Sequence, residues 1–299
     1  MKKIEFDESG LIKVDEKFIE SLINNKRVIK FLNDHNLDAD IVRRYPFKFS
    51  DWLDQLEVCD KCSGLKNCSQ KIQGKIFELE YDGFITMKIV PCKYTVEDTI
   101  KKTHLKNFVV NDLSEYMRYV DFSIIDSDKE NNKYLKSIGE VLDCLDDRTY
   151  GLFLYGNMGS GKTFIAACAA NKLAKENMKV AFVNLPLFSQ RIKGLIENSE
   201  YQTLVDQLVN VEFLVVDDIG AESVTSWFRD EILFTILNER MENKRWTWFT
   251  SNEDLNSLKH HFEINNKNVQ EKIKAERIMQ RIQVLSKSLE IVGNNRRKI

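Results

Sequence analysis

Between Phe18 and Asn33 apolar residues return at helical spacing (Phe18, Ile19, Leu22, Ile23, Ile29 and Leu32), and a second amphipathic segment runs from Ser50 to Val58. The chain is therefore expected to begin helical. The period then changes. Phe77 to Tyr81 and Phe84 to Val90 are β-rich and are joined by Asp82-Gly83, which predicts a hairpin, and this unit closes near Pro91-Cys92-Lys93. From Thr95 to Asn132 the sequence is polar and weakly periodic, as in a linker with some helix, whereas Tyr134 to Leu145 is a better amphipathic helix. Short apolar runs then alternate with helical ones: Gly151 to Tyr155, Val180 to Asn184, Phe213 to Asp217, Thr247 to Thr250 and Leu289 to Val292. Such alternation predicts an α/β fold, a parallel sheet with helices on both faces. The expected division is a small α+β domain over 1–94, a linker over 95–112 and the α/β domain over 113–299.

The 299 residues leave room for two domains, and 43% hydrophobic with 30% charged residues is ordinary for a soluble globular chain. With 44 basic against 46 acidic side chains, the net charge of -2 excludes a global positive field for nucleic acid; any DNA contact needs a local patch. No apolar run approaches the roughly 20 residues needed to cross a bilayer. The opening Met1-Lys2-Lys3-Ile4-Glu5-Phe6-Asp7 turns acidic too soon for a signal peptide. The expectation is a cytoplasmic protein with no membrane partner, whose thiols stay reduced, so clustered cysteines read as metal ligands or catalysts rather than disulfides.

Gly156-Asn157-Met158-Gly159-Ser160-Gly161-Lys162-Thr163 fits G-x-x-x-x-G-K-[ST], after a strand and before the helical stretch Phe164 to Glu176. Glycines let such a loop turn its N–H groups onto phosphates, Lys162 reaches the β and γ phosphates, and Thr163 supplies a ligand for Mg²⁺. ATP with Mg²⁺ is the expected ligand. The apolar run Phe213 to Val216 ends in Asp217, expected in the Mg²⁺ shell, and Asp218, expected to activate the attacking water. Asp218 is one methylene shorter than the glutamate common there, so slow turnover is expected. The strand Trp246 to Thr250 ends in Ser251-Asn252; Asn252 reads either as a γ-phosphate sensor or as a helix N-cap before Glu253.

Cys59-x-x-Cys62, Cys68 and Cys92 offer four thiolates, the last on the far side of the hairpin. Four thiolates suit tetrahedral zinc in a closed site that organises a small domain and does no chemistry. Free cysteines are the alternative. His104 lies outside the hairpin; Cys144 and Cys168 fall in apolar helical settings that point to packing; and His35, His260 and His261 have no catalytic spacing.

These residues resemble the bacterial replicative helicase loaders of the DnaI and DnaC type, AAA+ ATPases, and most closely the DnaI form of Gram-positive primosomes. The resemblance rests on Val215-Val216-Asp217-Asp218-Ile219-Gly220-Ala221-Glu222, Trp227-Phe228-Arg229-Asp230, Phe249-Thr250-Ser251-Asn252, the stretch Lys274 to Ile282, and Gly293-Asn294-Asn295-Arg296-Arg297. It implies an arginine finger acting in trans from Arg281, or failing that Arg277, and a second sensor at Arg297 or Arg296. A finger in trans implies self-association head to tail into a ring or spiral. It further implies a zinc-bearing N-terminal domain that binds the hexameric replicative DNA helicase, and delivery of that helicase onto single-stranded DNA. The helical insertion Leu187 to Asn210, with Arg191 and Lys193, is the candidate strand-facing element, although it lacks a dense basic or aromatic platform. Two alternatives stay open: a zinc-domain adaptor with a slow nucleotide switch, and the ATPase subunit of a transposition system, against which the cysteine pattern argues.

Overall fold

The first helical stretch is interrupted at Asn24-Asn25, because Asn25 caps a new helix: its side chain accepts a hydrogen bond from the Arg27 N–H at 2.9 Å. Two helices result, α1 (Glu16–Ile23) and α2 (Lys26–Asp34), followed by α3 (Asp40–Arg44) and α4 (Pro46–Asp60), which opens on a proline at its first turn. The computed structural model describes residues 15–195, 201–223, 225–263 and 271–295. β1 (Lys75–Tyr81) and β2 (Ile85–Pro91) form the expected antiparallel hairpin. Its loop is three residues rather than two, since Tyr81 pairs with Ile85 and Gly83 takes a left-handed φ of 75°. Leu22, Val28, Phe31, Phe49 and Leu53 pack on Leu79 and Ile85 of the hairpin to form a core of their own.

The chain divides into two compact units between Lys101 and Lys102. That boundary falls inside the stretch 95–112, expected as a linker with some helix. α5 (Lys93–Lys102) fills its first part, and Phe108–Asn111 is strand β3, hydrogen-bonded in parallel to β5. β3 is an edge strand of only 4 residues, Phe108-Val109-Val110-Asn111, too short a run for a strand period to show in the sequence.

In the second unit six strands lie in the order β3-β5-β6-β7-β4-β8: β4 (Gly151–Tyr155), β5 (Val180–Asn184), β6 (Phe213–Asp217), β7 (Trp246–Ser251) and β8 (Ser286–Glu290), all parallel. β8 starts three residues before the apolar run Leu289 to Val292. It is the other edge, and its exposed polar residues pair with β4 from Gly151 to Tyr155.

Alternate residues of each strand face opposite layers. Leu152, Leu154, Val215 and Trp248 meet α6 (Asn132–Asp147) and α7 (Lys162–Lys175), while Phe153, Leu214, Val216 and Phe249 meet α8 (Leu185–Gly194), α9 (Tyr201–Asn210), α10 (Phe234–Glu242), α11 (Leu255–Glu263) and α12 (Lys272–Leu285). α10 is preceded by a π-helical turn over Phe228–Leu233. α7 is buried on nearly all sides, and its run Ala166-Ala167-Cys168-Ala169-Ala170 keeps it slim enough to lie there. Among the described residues no helix is long and apolar enough to cross a membrane.

Candidate nucleotide site

The site is built where β4 stops. Gly151 lets that strand run between β7 and the end of α12, since a Cβ there would overlap the Thr247 carbonyl oxygen and come within 2.6 Å of the Leu285 carbonyl oxygen. At the far end of β4 the chain passes through Gly156, Gly159 and Gly161, all at positive φ (142°, 83° and 102°), and enters α7 at Lys162. Three left-handed positions within six residues require glycine, and they turn successive N–H groups to one side, the arrangement that cradles phosphate. Lys162 is almost fully buried. Its ammonium donates to the carbonyls of Gly156 and Asn157, both at 2.9 Å, and to Asn252 Oδ1 at 3.0 Å.

β6 delivers Asp217 and Asp218 beside this loop. Asp217 accepts a hydrogen bond from Thr250 Oγ1 at 2.7 Å and is also bonded by the Thr163 hydroxyl. Burial, reinforced by the negative charge of Asp218, pushes the Asp217 carboxyl up to about 6, against the opposing hydrogen bonds from Thr250, Thr163 and Asn184. A hydroxyl and a carboxylate side by side are hard oxygen donors of the kind Mg²⁺ takes, and a cation there would relieve the cost of burying the charge. Asp218 sits in a left-handed turn at φ 57°, its N–H donating to Thr250 Oγ1 at 3.0 Å. Asn184, at the end of β5, reaches both acids with its Nδ2, at 3.4 Å from Asp217 and 3.5 Å from Asp218.

Asn252 is free of the capping role it could have taken: Asp254 caps the turn leading into α11, accepting from the Ser257 N–H at 2.8 Å. A cavity of about 420 Å³ runs from Gly159, Gly161, Lys162, Thr163, Asp218 and Asn252 to Tyr116, Met117, Ile124, Ile125 and Glu130. The phosphate side was legible in the sequence; the second wall was not, because its apolar residues have no period. It is placed by tertiary bonds, chiefly from the fully buried Asn171 of α7, whose Nδ2 donates to the carbonyls of Met117 and Val120, both at 2.9 Å. Asn184 and Thr250 were also missed. An asparagine or a threonine at the end of a core strand was the available signal.

The two arginines of α12 do not line this cavity. Arg281 is engaged locally, with Nε and Nη2 at 3.3 and 3.1 Å from Asn238 Oδ1 and its guanidinium 4.7 Å from the Phe234 ring centre. Arg277, one turn earlier, is exposed. Arg296 and Arg297 lie outside the described residues, as does part of the Leu187 to Asn210 insertion, whose described portions are α8 from Leu187 onward and α9. Within that insertion Arg191 is paired with Asp112 at 2.6 Å.

In the first unit Cys59, Cys62, Cys68 and Cys92 line one cavity of about 320 Å³. Gln70 Nε2 lies 3.1 Å from Cys59 Sγ and the Gly74 N–H 3.4 Å from Cys68 Sγ. Burial opposes ionisation of Cys92, but hydrogen bonds from Thr95 and from the Tyr94 and Cys92 backbone outweigh it and hold this thiol below its ordinary range. The expected closed four-thiolate cluster is nonetheless not what the side chains form: among the described residues no group of three or more His, Cys, Asp or Glu is drawn close enough to hold a metal ion. The backbone brings the four residues to one cavity, while each sulfur takes a local hydrogen bond instead of a common centre. His104 stands apart, its Nε2 2.8 Å from the Arg118 carbonyl oxygen.

A phosphate loop after one strand, an acidic pair on a non-adjacent strand and a polar tip on the strand between them define a P-loop nucleotide-binding protein of the AAA+ arrangement. The chain belongs to the family of IstB-like ATP binding proteins, whose model matches residues 78–299. It is 28% identical over 293 residues to the replicative helicase loader DnaI of Bacillus subtilis, covering 94% of this chain and 93% of that protein. A crystal structure of DnaI superposes with a TM-score of 0.55 at 31% identity, over 66% of this chain and all of the other. The replicative helicase loader DnaC of Escherichia coli is 25% identical over 162 residues, 54% of this chain and 60% of DnaC. The crystal structure of the DnaC helicase loader, at 18% identity and a TM-score of 0.50, shares the fold. The resemblance to DnaI thus holds over 94% of the chain and that to DnaC over 54%.

Proposed function

We propose that this protein is an ATP-dependent loader that binds a hexameric replicative DNA helicase and delivers it onto single-stranded DNA. The observation that carries the reading is the extent of the match to DnaI, which spans both units and is not confined to the ATP-binding one. A transposition ATPase sharing only the second unit would leave the first unexplained.

In this reading Lys162 and the N–H groups of Gly156 to Thr163 hold the phosphates, Thr163 and Asp217 hold Mg²⁺, Asp218 activates water and Asn252 senses the γ phosphate. Tyr116, Met117, Ile124 and Ile125 receive the base. Mg²⁺ supplies charge neutralisation on the phosphates. The Thr163 hydroxyl and the Asp217 carboxylate orient its shell, while Asn184 holds both acids at the end of their strand.

Hydrolysis is slow in this reading, because Asp218 is short and shares Asn184 with Asp217. The same observation favours a second reading, an adaptor whose ATP-bound state, more than its turnover, is the signal. Arg277, exposed on α12, supports self-association in trans better than Arg281, which Asn238 and Phe234 already hold. The first unit, within residues 1–94, docks on the helicase.

The test is light scattering coupled to size exclusion on the protein mixed with the replicative helicase of the same organism, with ATP and Mg²⁺. Co-elution near equal subunit numbers supports the loader; separate elution in every nucleotide state removes its main support. The adaptor reading separates from the loader in a steady-state ATPase assay with and without single-stranded DNA, which only a strand-engaging loader responds to.

A further inference from the structure

β8 ends at Glu290, but the chain does not leave the site there. The Ile291 N–H donates to the Tyr155 carbonyl at 2.7 Å, carrying the strand pairing one residue past the sheet. From that point the backbone runs over the phosphate loop. The Ile291 carbonyl oxygen lies so close to Gly156 that a Cβ on that glycine would be 2.6 Å away. A Cβ on Gly293 would run into the Ser160 carbonyl oxygen and approach Tyr134 to 3.2 Å. The Asn295 carboxamide occupies the space that a side chain on Gly159 would need, with its Cγ 2.8 Å and its Cα 3.4 Å from that position. Between these contacts the Val292 carbonyl accepts from Asn131 Nδ2 at 2.9 Å. Asn131 is also the N-cap of α6, accepting from the Tyr134 N–H at 2.8 Å, and it follows Glu130 of the opposite cavity wall.

We propose that residues 291–295 form a strap that holds the phosphate loop in its nucleotide-receiving shape, with Asn295 and Gly293 as positioning residues for nucleotide binding. The proposal rests on the nucleotide-site reading above. A loop with three left-handed glycines has many conformations open to it, and ordering it at the moment of binding would cost affinity. The strap removes that freedom beforehand. It packs against Gly156, Gly159 and Ser160, and its hydrogen bond to Asn131 ties the phosphate wall to the start of α6 and the base-side wall. Gly293 is needed because nothing larger fits against Ser160, and Asn295 because its carboxamide fills the notch over Gly159.

The test uses the full chain with Asn295→Ala and Gly293→Ala, and three readouts: amide hydrogen exchange of the 156–163 segment without nucleotide, the dissociation constant of a fluorescent ATP analogue with Mg²⁺, and the melting temperature. Asn295→Ala is expected to speed exchange in the loop and weaken the analogue about tenfold, roughly 1.4 kcal/mol, with the melting temperature held. In turnover, KM for ATP should rise with kcat unchanged, a split that a general loss of structure would not produce. Gly293→Ala should reproduce the effect while Asn295 is intact. Wild-type exchange and affinity in Asn295→Ala would overturn the strap even if Gly293→Ala fails to fold. Failure of the wild type itself to bind the analogue would overturn the nucleotide-site reading and the strap's role in it, while exchange still decides whether the strap orders the loop.

Discussion

The Asp217 carboxyl carries a titration consequence that falls in an accessible pH range. Its carboxyl is raised to about 6 in the folded chain, mainly by burial, whereas an unfolded aspartate titrates near 4. A raised carboxyl means the folded state holds the proton longer. Stability from this group is therefore fully present below about pH 4 and is lost as pH rises through about 6, by at most about 3 kcal/mol. Without Mg²⁺ the melting temperature should fall between pH 5 and pH 7.5 in the wild type and fall less in Asp217→Asn. Mg²⁺ needs the ionised form, so Mg·ATP affinity should move the opposite way, weakening about tenfold per pH unit below 6; a pH-independent affinity would refute the placement of Mg²⁺ at Asp217. Asp218 is a second residue-scale case. Asp218→Glu extends the carboxylate by one methylene from a fixed left-handed turn and is expected to raise kcat severalfold at unchanged nucleotide affinity, measured by steady-state hydrolysis beside analogue binding. The phosphate-loop and acidic residues were readable one by one because each motif is contiguous in sequence. Asn184 and Thr250 were not, because they reach Asp217 and Asp218 from strands 33 residues away in either direction.

Among the elements, β4 and α12 make the sharpest claims. β4 lies between β7 and β8, and Gly151 is its tightest point. Gly151→Ala has no flexible side chain to displace, only strand and helix backbone, so it should destabilise the second unit by about 3 kcal/mol, seen as a lowered melting temperature. On α12, Arg281 is bound to Asn238 and stacked on Phe234, and Arg277 is exposed. If self-association in trans is correct, Arg277→Ala should lower ATP hydrolysis in the assembled state with an unchanged melting temperature, and Arg281→Ala should cost about 1 kcal/mol of stability instead. The reverse pattern would return the finger to Arg281. The helices and inner strands followed the sequence periodicity closely, and β3 and β8 did not. Both are edges: β3 is only 4 residues long, and β8 is largely polar and exposed, so neither carries a clear strand signal.

At the scale of the whole molecule, two units with separate cores should respond separately. Replacing Cys59 and Cys62 by serine should lower the stability of the first unit while leaving ATP-analogue affinity unchanged, read by a two-transition melt beside a binding titration. A loss of nucleotide binding in the serine variant would contradict that independence. By itself the sequence determined the alternating α/β order, the phosphate loop, the acidic strand end and the cysteine spacing, because each depends on residues within one turn, strand or loop. Only the tertiary structure decided that the expected linker supplies an edge strand, that Tyr116 to Glu130 supply a cavity wall, that Arg281 is occupied, that the four cysteines share a cavity without forming a cluster, and that residues 291–295 lie across the phosphate loop. Those outcomes depend on which distant backbone groups are brought within bonding distance, and the pattern of apolar and polar residues along a chain does not encode that distance.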